Sequence, residues 1–189
     1  MRVITEPAIE PVSLEEAKSH LRVDIDDDND LINSYLLAAR QYAETFTRRV
    51  FITQTLEIVL DEFPDGKIVL ESPPIQSIVA FTYLVSGDDE ATDVDADTYR
   101  LDTYNGELAL APSESWPADT LETGGAISIQ YKAGYGDDAA DVPETIRTAI
   151  NFLVAHWYEH REPVAVGTIA VNIPWTVENL LYAKKVVSA

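Results

Sequence analysis

The sequence predicts an α+β protein: a helical core of two long and two short helices, drawn from both ends of the chain, with an antiparallel β unit inserted between them. Three observations predict it. Apolar residues recur at three- and four-residue intervals over 30–50 and again over 143–162. Between them, over 51–133, the period falls to two and β-branched residues gather between turn signals. Short amphipathic runs after Ser13 and after Pro174 supply the remaining helices. The domain boundaries that follow are 1–50 with 134–189 for the helical core and its C-terminal segment, and 51–133 for the β insertion.

Residues 1–12 contain Pro7 and Pro11 and read as an extended lead-in. Ser13-Leu-Glu-Glu16 has the form of a capping box, in which hydroxyl and carboxylate each reach the other residue's backbone N–H. A short helix to about Arg22 follows. The first long helix carries Leu31, Ile32, Tyr35, Leu36, Ala39, Tyr42, Ala43 and Phe46 on one side. Arg40, Arg48 and Arg49 lie in its C-terminal half, where cations suit the dipole.

Strands are expected over 54–60, 68–70, 75–85, 99–102, 107–110 and 126–131, as one antiparallel sheet. Pro64-Asp-Gly66, Pro73-Pro74, Asn105-Gly106 and Gly124-Gly125 punctuate them. Gly134-Tyr-Gly136 reads as a turn between strand and helix, since a phosphate loop would need a third glycine or a Lys-Ser/Thr pair. The second long helix, 143–162, stacks Ile146, Ile150, Leu153, Val154 and Trp157. Pro143 suits its first position and Pro163 stops it. After an apolar extended stretch, 164–173, a short tail runs through Trp175, Val177, Leu180, Leu181, Lys184, Lys185 and Val186.

The 189 residues carry a formal net charge of −20, unevenly spread. Six basic against ten acidic residues over 1–49 give −4, three against sixteen over 50–133 give −13, and four against seven over 134–189 give −3. Such a surface repels a phosphate backbone, which excludes DNA binding by charge neutralisation. Solubility, attraction of a basic partner, and a wall along which nucleic acid slides without sticking are the three readings left. No apolar run approaches the ~20 residues of a membrane span, and no signal-peptide pattern opens the chain. With no cysteine, thiolate metal sites and thiol nucleophiles are excluded.

Two strings tempt a metal. Asp24, Asp26 and Asp28 fit the first three ligand positions of an EF-hand loop, but Asn29 stands where that loop needs glycine and Tyr35 where it needs a bidentate glutamate. An acidic cap for the following helix accounts for the same residues. His156-Trp-Tyr-Glu159-His160 matches the inverted zinc string H-x-x-E-H, whose histidines would share a helix face with Glu159 as base. A third ligand is required, and Glu178 is the acidic candidate. Side chains at a helix surface or subunit boundary explain the string equally. No nucleophile elbow or catalytic dyad stands out, so no enzyme is expected and no cofactor is called for. Trp175, Leu180 and Leu181 either dock on the long helices or anchor a neighbouring molecule.

Six strings occur here in one order: PVSLEEAKSHLRVD, ITQTLEIVLDEFP, SPPIQSIVAFTY, IQYKAGYGD, VPETIRTAINFLVAHWYEHREPV and IPWTVENLL. Together they resemble the head–tail connector proteins, also called adaptor or head-completion proteins, of long-tailed bacteriophages and prophages. The resemblance covers nearly the whole chain. It departs at His160, where the family's string reads HWYENRE, and that difference is what creates the zinc-like string.

The resemblance implies a structural virion protein of the neck, made in the host cytoplasm, with no cofactor and no membrane. It implies a ring, usually of twelve copies, beneath the portal, extending the DNA channel and presenting a platform for the stopper or tail protein. Mapped onto this sequence, Trp175, Leu180, Leu181, Lys184 and Lys185 dock on the portal protein. His156, Glu159, Arg161 and Glu162, with the long helices, make subunit contacts. The alternatives are another neck ring component, a stopper or tail-terminator, and a zinc-dependent hydrolase on His156, Glu159 and His160.

Overall fold

The computed structural model describes residues 1–161 and 175–186, and the chain divides into two compact units, 8–52 with 136–189 and 1–7 with 53–135. The first is helical and holds α1 (Leu14–Leu21), α2 (Asn29–Thr47), α3 (Glu144–Glu159) and α4 (Trp175–Tyr182). α2 and α3 pack together, and α1 and α4 each touch both. Ile32, Leu36, Ala39 and Ala43 of α2 and Ile146, Ala149, Ile150, Leu153 and Val154 of α3 are buried, as the helical spacing requires. Each large aliphatic side chain so removed from water contributes ~1.5–3 kcal/mol.

The helix ends differ from expectation for local reasons. Ser13 accepts from the Glu16 N–H at 3.2 Å, but the Glu16 carboxylate does not complete a capping box. It takes the Arg147 guanidinium at 2.7 and 2.8 Å, and Arg147 also donates to the Pro11 carbonyl at 3.1 Å. α1 and α2 each stop on an arginine in the left-handed conformation, Arg22 (φ 59) and Arg48 (φ 55). α2 therefore ends at Thr47 rather than Val50, and Val50, Phe51 and Ile52 are buried in the helical unit. Pro143 is the residue before α3, not its first turn, and α3 ends at Glu159.

Arg40 does not sit at a helix end as a dipole cation. It is 3% exposed, between Glu10 at 2.8 Å and Glu44 at 2.9 Å. Glu44 also accepts from the Phe51 N–H at 3.0 Å. Burial raises the Glu44 carboxyl above its usual range against the pull of Arg40.

The other unit is antiparallel β throughout its named strands, in two sheets rather than the single one expected. Its strands are β1 (Arg2–Thr5), β2 (Gln54–Leu60), β3 (Ile68–Val69), β4 (Ile75–Tyr83), β5 (Thr92–Asp93), β6 (Tyr99–Asp102), β7 (Glu107–Leu110) and β8 (Ile127–Ala133). One sheet runs β1-β2-β8-β4-β5 and the other β3-β7-β6. Residues 1–7, expected as a lead-in to the helices, instead supply an edge strand by pairing with β2.

Ile127, Ile129 and Tyr131 alternate into the core, fully buried, as period two demands. Phe81 of β4 meets Tyr99 of β6 at 5.3 Å between ring centroids, and Phe63 stacks on Trp116 at 5.3 Å, so aromatic packing joins the two sheets. The Asn105-Gly106 turn forms between β6 and β7 with Gly106 at φ 70. Asp102 accepts there from the Tyr104 and Asn105 N–H groups, both at 3.0 Å. The Pro73–Pro74 peptide is cis.

Candidate functional site

Two carboxylates of the acidic loop before α2, Asp26 and Asp28, are held in ion pairs. Asp26 takes Lys18 Nζ at 2.7 Å and Asn29 at 3.2 Å, and these bonds hold its carboxyl below the usual range. Asp28 occupies the capping position of α2, yet its side chain makes no cap. It reaches the last turn of α3, where the Tyr158 hydroxyl and the Arg161 guanidinium, the latter at 2.9 Å, both donate to it. Those two donors, the hydroxyl first, lower its pKa. The expectation of an acidic helix cap is thus corrected: the carboxylates tie α1 to the loop before α2, and α2 to the end of α3.

The His156–His160 string lies where α3 runs out. His160 is the residue after the helix, and its Nδ1 lies 2.9 Å from the His156 carbonyl, with the two rings 4.9 Å apart. Glu178, the proposed third ligand, faces elsewhere: its charge acts on Tyr42 of α2. Among the described residues no group of three histidines and carboxylates is placed to hold a metal ion. Arg161 turns back over the Tyr158 ring at 4.5 Å and on to Asp28, so its charge is used inside the helical unit. Glu162 lies outside the described residues.

α4 separates its candidates by face. Val177 and Leu181, four residues apart, are fully buried against the helical unit, so Leu181 is a core residue rather than a docking residue. Leu180 is half-buried. Trp175 (77% exposed) and Tyr182 (65%) stand one above the other on the outer face, seven residues apart. Past α4 the chain is pinned by backbone: the Lys184 carbonyl accepts from Arg49 Nε at 2.6 Å, and the Val186 N–H donates to the Thr47 carbonyl at 2.9 Å. Lys185 Nζ lies 4.8 Å above the Phe46 ring.

The end of α2 and the segment past α4 meet through Arg49, Lys184 and Val186, while Trp175 and Tyr182 stand on the outer face of α4 itself. Sequence reasoning missed Tyr182 and Arg49. The seven-residue spacing from Trp175 marks Tyr182; nothing local marks Arg49, whose partner is 135 residues away. Among the described residues no helix is long and apolar enough to cross a membrane.

Residues 11–82 match the model of the phage gp6-like head-tail connector protein family. No curated protein matches. Among solved structures, the chain is similar to one in the virion of a native gene transfer agent (GTA) particle, with TM-score 0.82 and 23% identity over 100% of this chain and 96% of that one. It is similar at TM-score 0.80 to a chain in the neck of an empty GTA particle computed with C6 symmetry. The same holds at 0.75 for a chain in the neck of a native GTA particle computed with C12 symmetry, each again at 23% identity over 100% of this chain and 97% of that one. The likeness to head–tail connector proteins read from six strings of sequence is therefore upheld by the family model over 11–82, and the solved structures share the fold along the whole chain.

Proposed function

We propose that this chain is a structural protein of a virion neck, assembling as a twelve-membered ring that docks beneath the portal, lengthens the DNA channel and joins head to tail. The observation that carries the reading is the match of residues 11–82 to the gp6-like connector family. Whole-length likeness to chains of GTA necks, one of them computed with C12 symmetry, supports it. The protein acts by shape and contact, not by bond-making.

We assign portal docking to Trp175 on the outer face of α4 and to Lys184 and Lys185 just past its end, an aromatic anchor and two cations on an otherwise acidic chain. We assign contacts around the ring to His156 and Glu159, in the last turn of α3. The β unit carries seventeen acidic and four basic residues, a net −13, which suits a surface that DNA slides past. The test is a particle made without this chain: filled heads lacking tails are expected, restored by the protein supplied in trans. Tailed, genome-retaining particles in its absence would refute the reading.

A further inference from the structure

Among the described residues the five-stranded sheet ends in β1 on one side and, on the other, in β4 with the two-residue β5 along part of it. At one end β4 is nine residues long, but β5 covers only Thr82 and Tyr83, and the Val94 N–H takes the Phe81 carbonyl at 2.8 Å. From Gln76 to Ala80 the backbone makes, among the described residues, no hydrogen bond beyond its ladder to β8. Natural edges are blunted with charge, above all lysine, or with proline or bulges, to keep them from pairing. Here no charged residue occurs from Ser72 to Ser86; two bulges, at Gln76 and at Val79, interrupt the stretch, and Val79 is 51% exposed. At the other end β1 pairs, among the described residues, only with β2, and Val3 (39%) and Ile4 (41%) stand exposed on it.

The geometry points to strand addition between copies: β1 of one copy lies along the open stretch of β4 of the next, so that the sheet continues from subunit to subunit. This rests on the ring proposed above and names the contact that closes it. Three features select a second copy as the occupant. A rotational ring needs two different faces on each subunit, and the two ends of one sheet are such a pair. Strand direction also agrees: β1, β2, β8 and β4 alternate, so β1 of a copy in the same orientation arrives antiparallel to β4. Lengths match as well, four residues of β1 against the open part of a nine-residue strand.

Arg2 of β1 is held by Glu57 within its own sheet at 2.6 Å, so main chain rather than charge makes this contact. The main-chain bonds supply affinity while Val3, Ile4 and Val79 exclude water.

The chain has no cysteine, which makes the test direct. Val79→Cys is combined with Val3→Cys or with Ile4→Cys, and the assembled protein, alone or on purified portal, is oxidised and run without reductant. A ladder of covalent multimers is expected from one double variant, and only monomers from the single variants. Rings that assemble with no ladder from either double variant would overturn the strand contact and leave the neck reading intact. A covalent dimer from Val79→Cys alone would overturn the head-to-tail arrangement, because the edge would be pairing with itself. Wild-type protein that forms no ring, even on portal, would remove the neck reading and this contact with it. Val79→Lys should lower ring assembly about tenfold or more while the thermal midpoint holds; equal assembly would count against the proposal.

Discussion

Arg161 donates to Asp28 at 2.9 Å, joining the end of α3 to the start of α2 across 133 residues of sequence. Tyr158 donates to the same carboxylate. A cation read from sequence as a subunit contact therefore works within its own subunit. Arg161→Ala should lower the thermal midpoint slightly and leave ring assembly unchanged, measured by calorimetry and by counting assembled mass. Loss of rings at unchanged midpoint would return Arg161 to the interface.

Removing Arg40 should be severe. It is buried between Glu10 and Glu44, and breaking a buried ion pair by removing one partner costs ~3–5 kcal/mol. Arg40→Ala is expected to unfold at markedly lower denaturant. Arg40→Met with Glu44→Gln should recover much of the loss, since Gln still accepts from Phe51 without a buried charge.

The two faces of α4 should separate stability from docking. Leu181→Ala opens a cavity in the helical unit and costs ~2–5 kcal/mol, read by denaturant unfolding. Trp175→Ala removes an exposed ring and should leave the unfolding midpoint in place while weakening portal capture. Equal portal binding by Trp175→Ala would detach α4 from that role.

Glu57 anchors β1 to its sheet. Arg2 lies 2.6 Å from it, and Ser128 and Gln130 donate to it at 2.9 and 3.2 Å. Burial would raise its pKa, but the three donors together hold it below the usual value. A carboxyl lowered on folding lends stability above its unfolded value and loses it as pH falls through the folded one. Glu57→Gln should therefore be less stable than wild type at pH 7, with the gap closing below about pH 4.5. Faster amide exchange at Val3 and Thr5 should accompany it. A gap that persists at pH 2 would show that packing, not charge, accounts for it.

Periodicity made the main elements legible. Strands 54–60, 99–102 and 107–110 form over the residues expected, and Ile146, Ile150, Leu153 and Val154 are buried on the face their spacing assigns. Short elements escaped. β1 and β5 are too brief to show a period, and each exists only because a longer strand supplies its hydrogen bonds. Charged candidates were the least legible. Asp28, Glu16 and Arg161 each have a local explanation as cap, box or interface, and each is taken instead by a partner more than 130 residues away.

What the chain's order of residues determined alone was its periodicity, its turns, its acid excess and its likeness to connector proteins, because these depend on neighbours a few positions apart. Which carboxylate meets which cation, which face of α4 is core, and which strands end the five-stranded sheet were decided only by the fold. They depend on distances between residues that the sequence keeps far apart, and no local pattern records those distances.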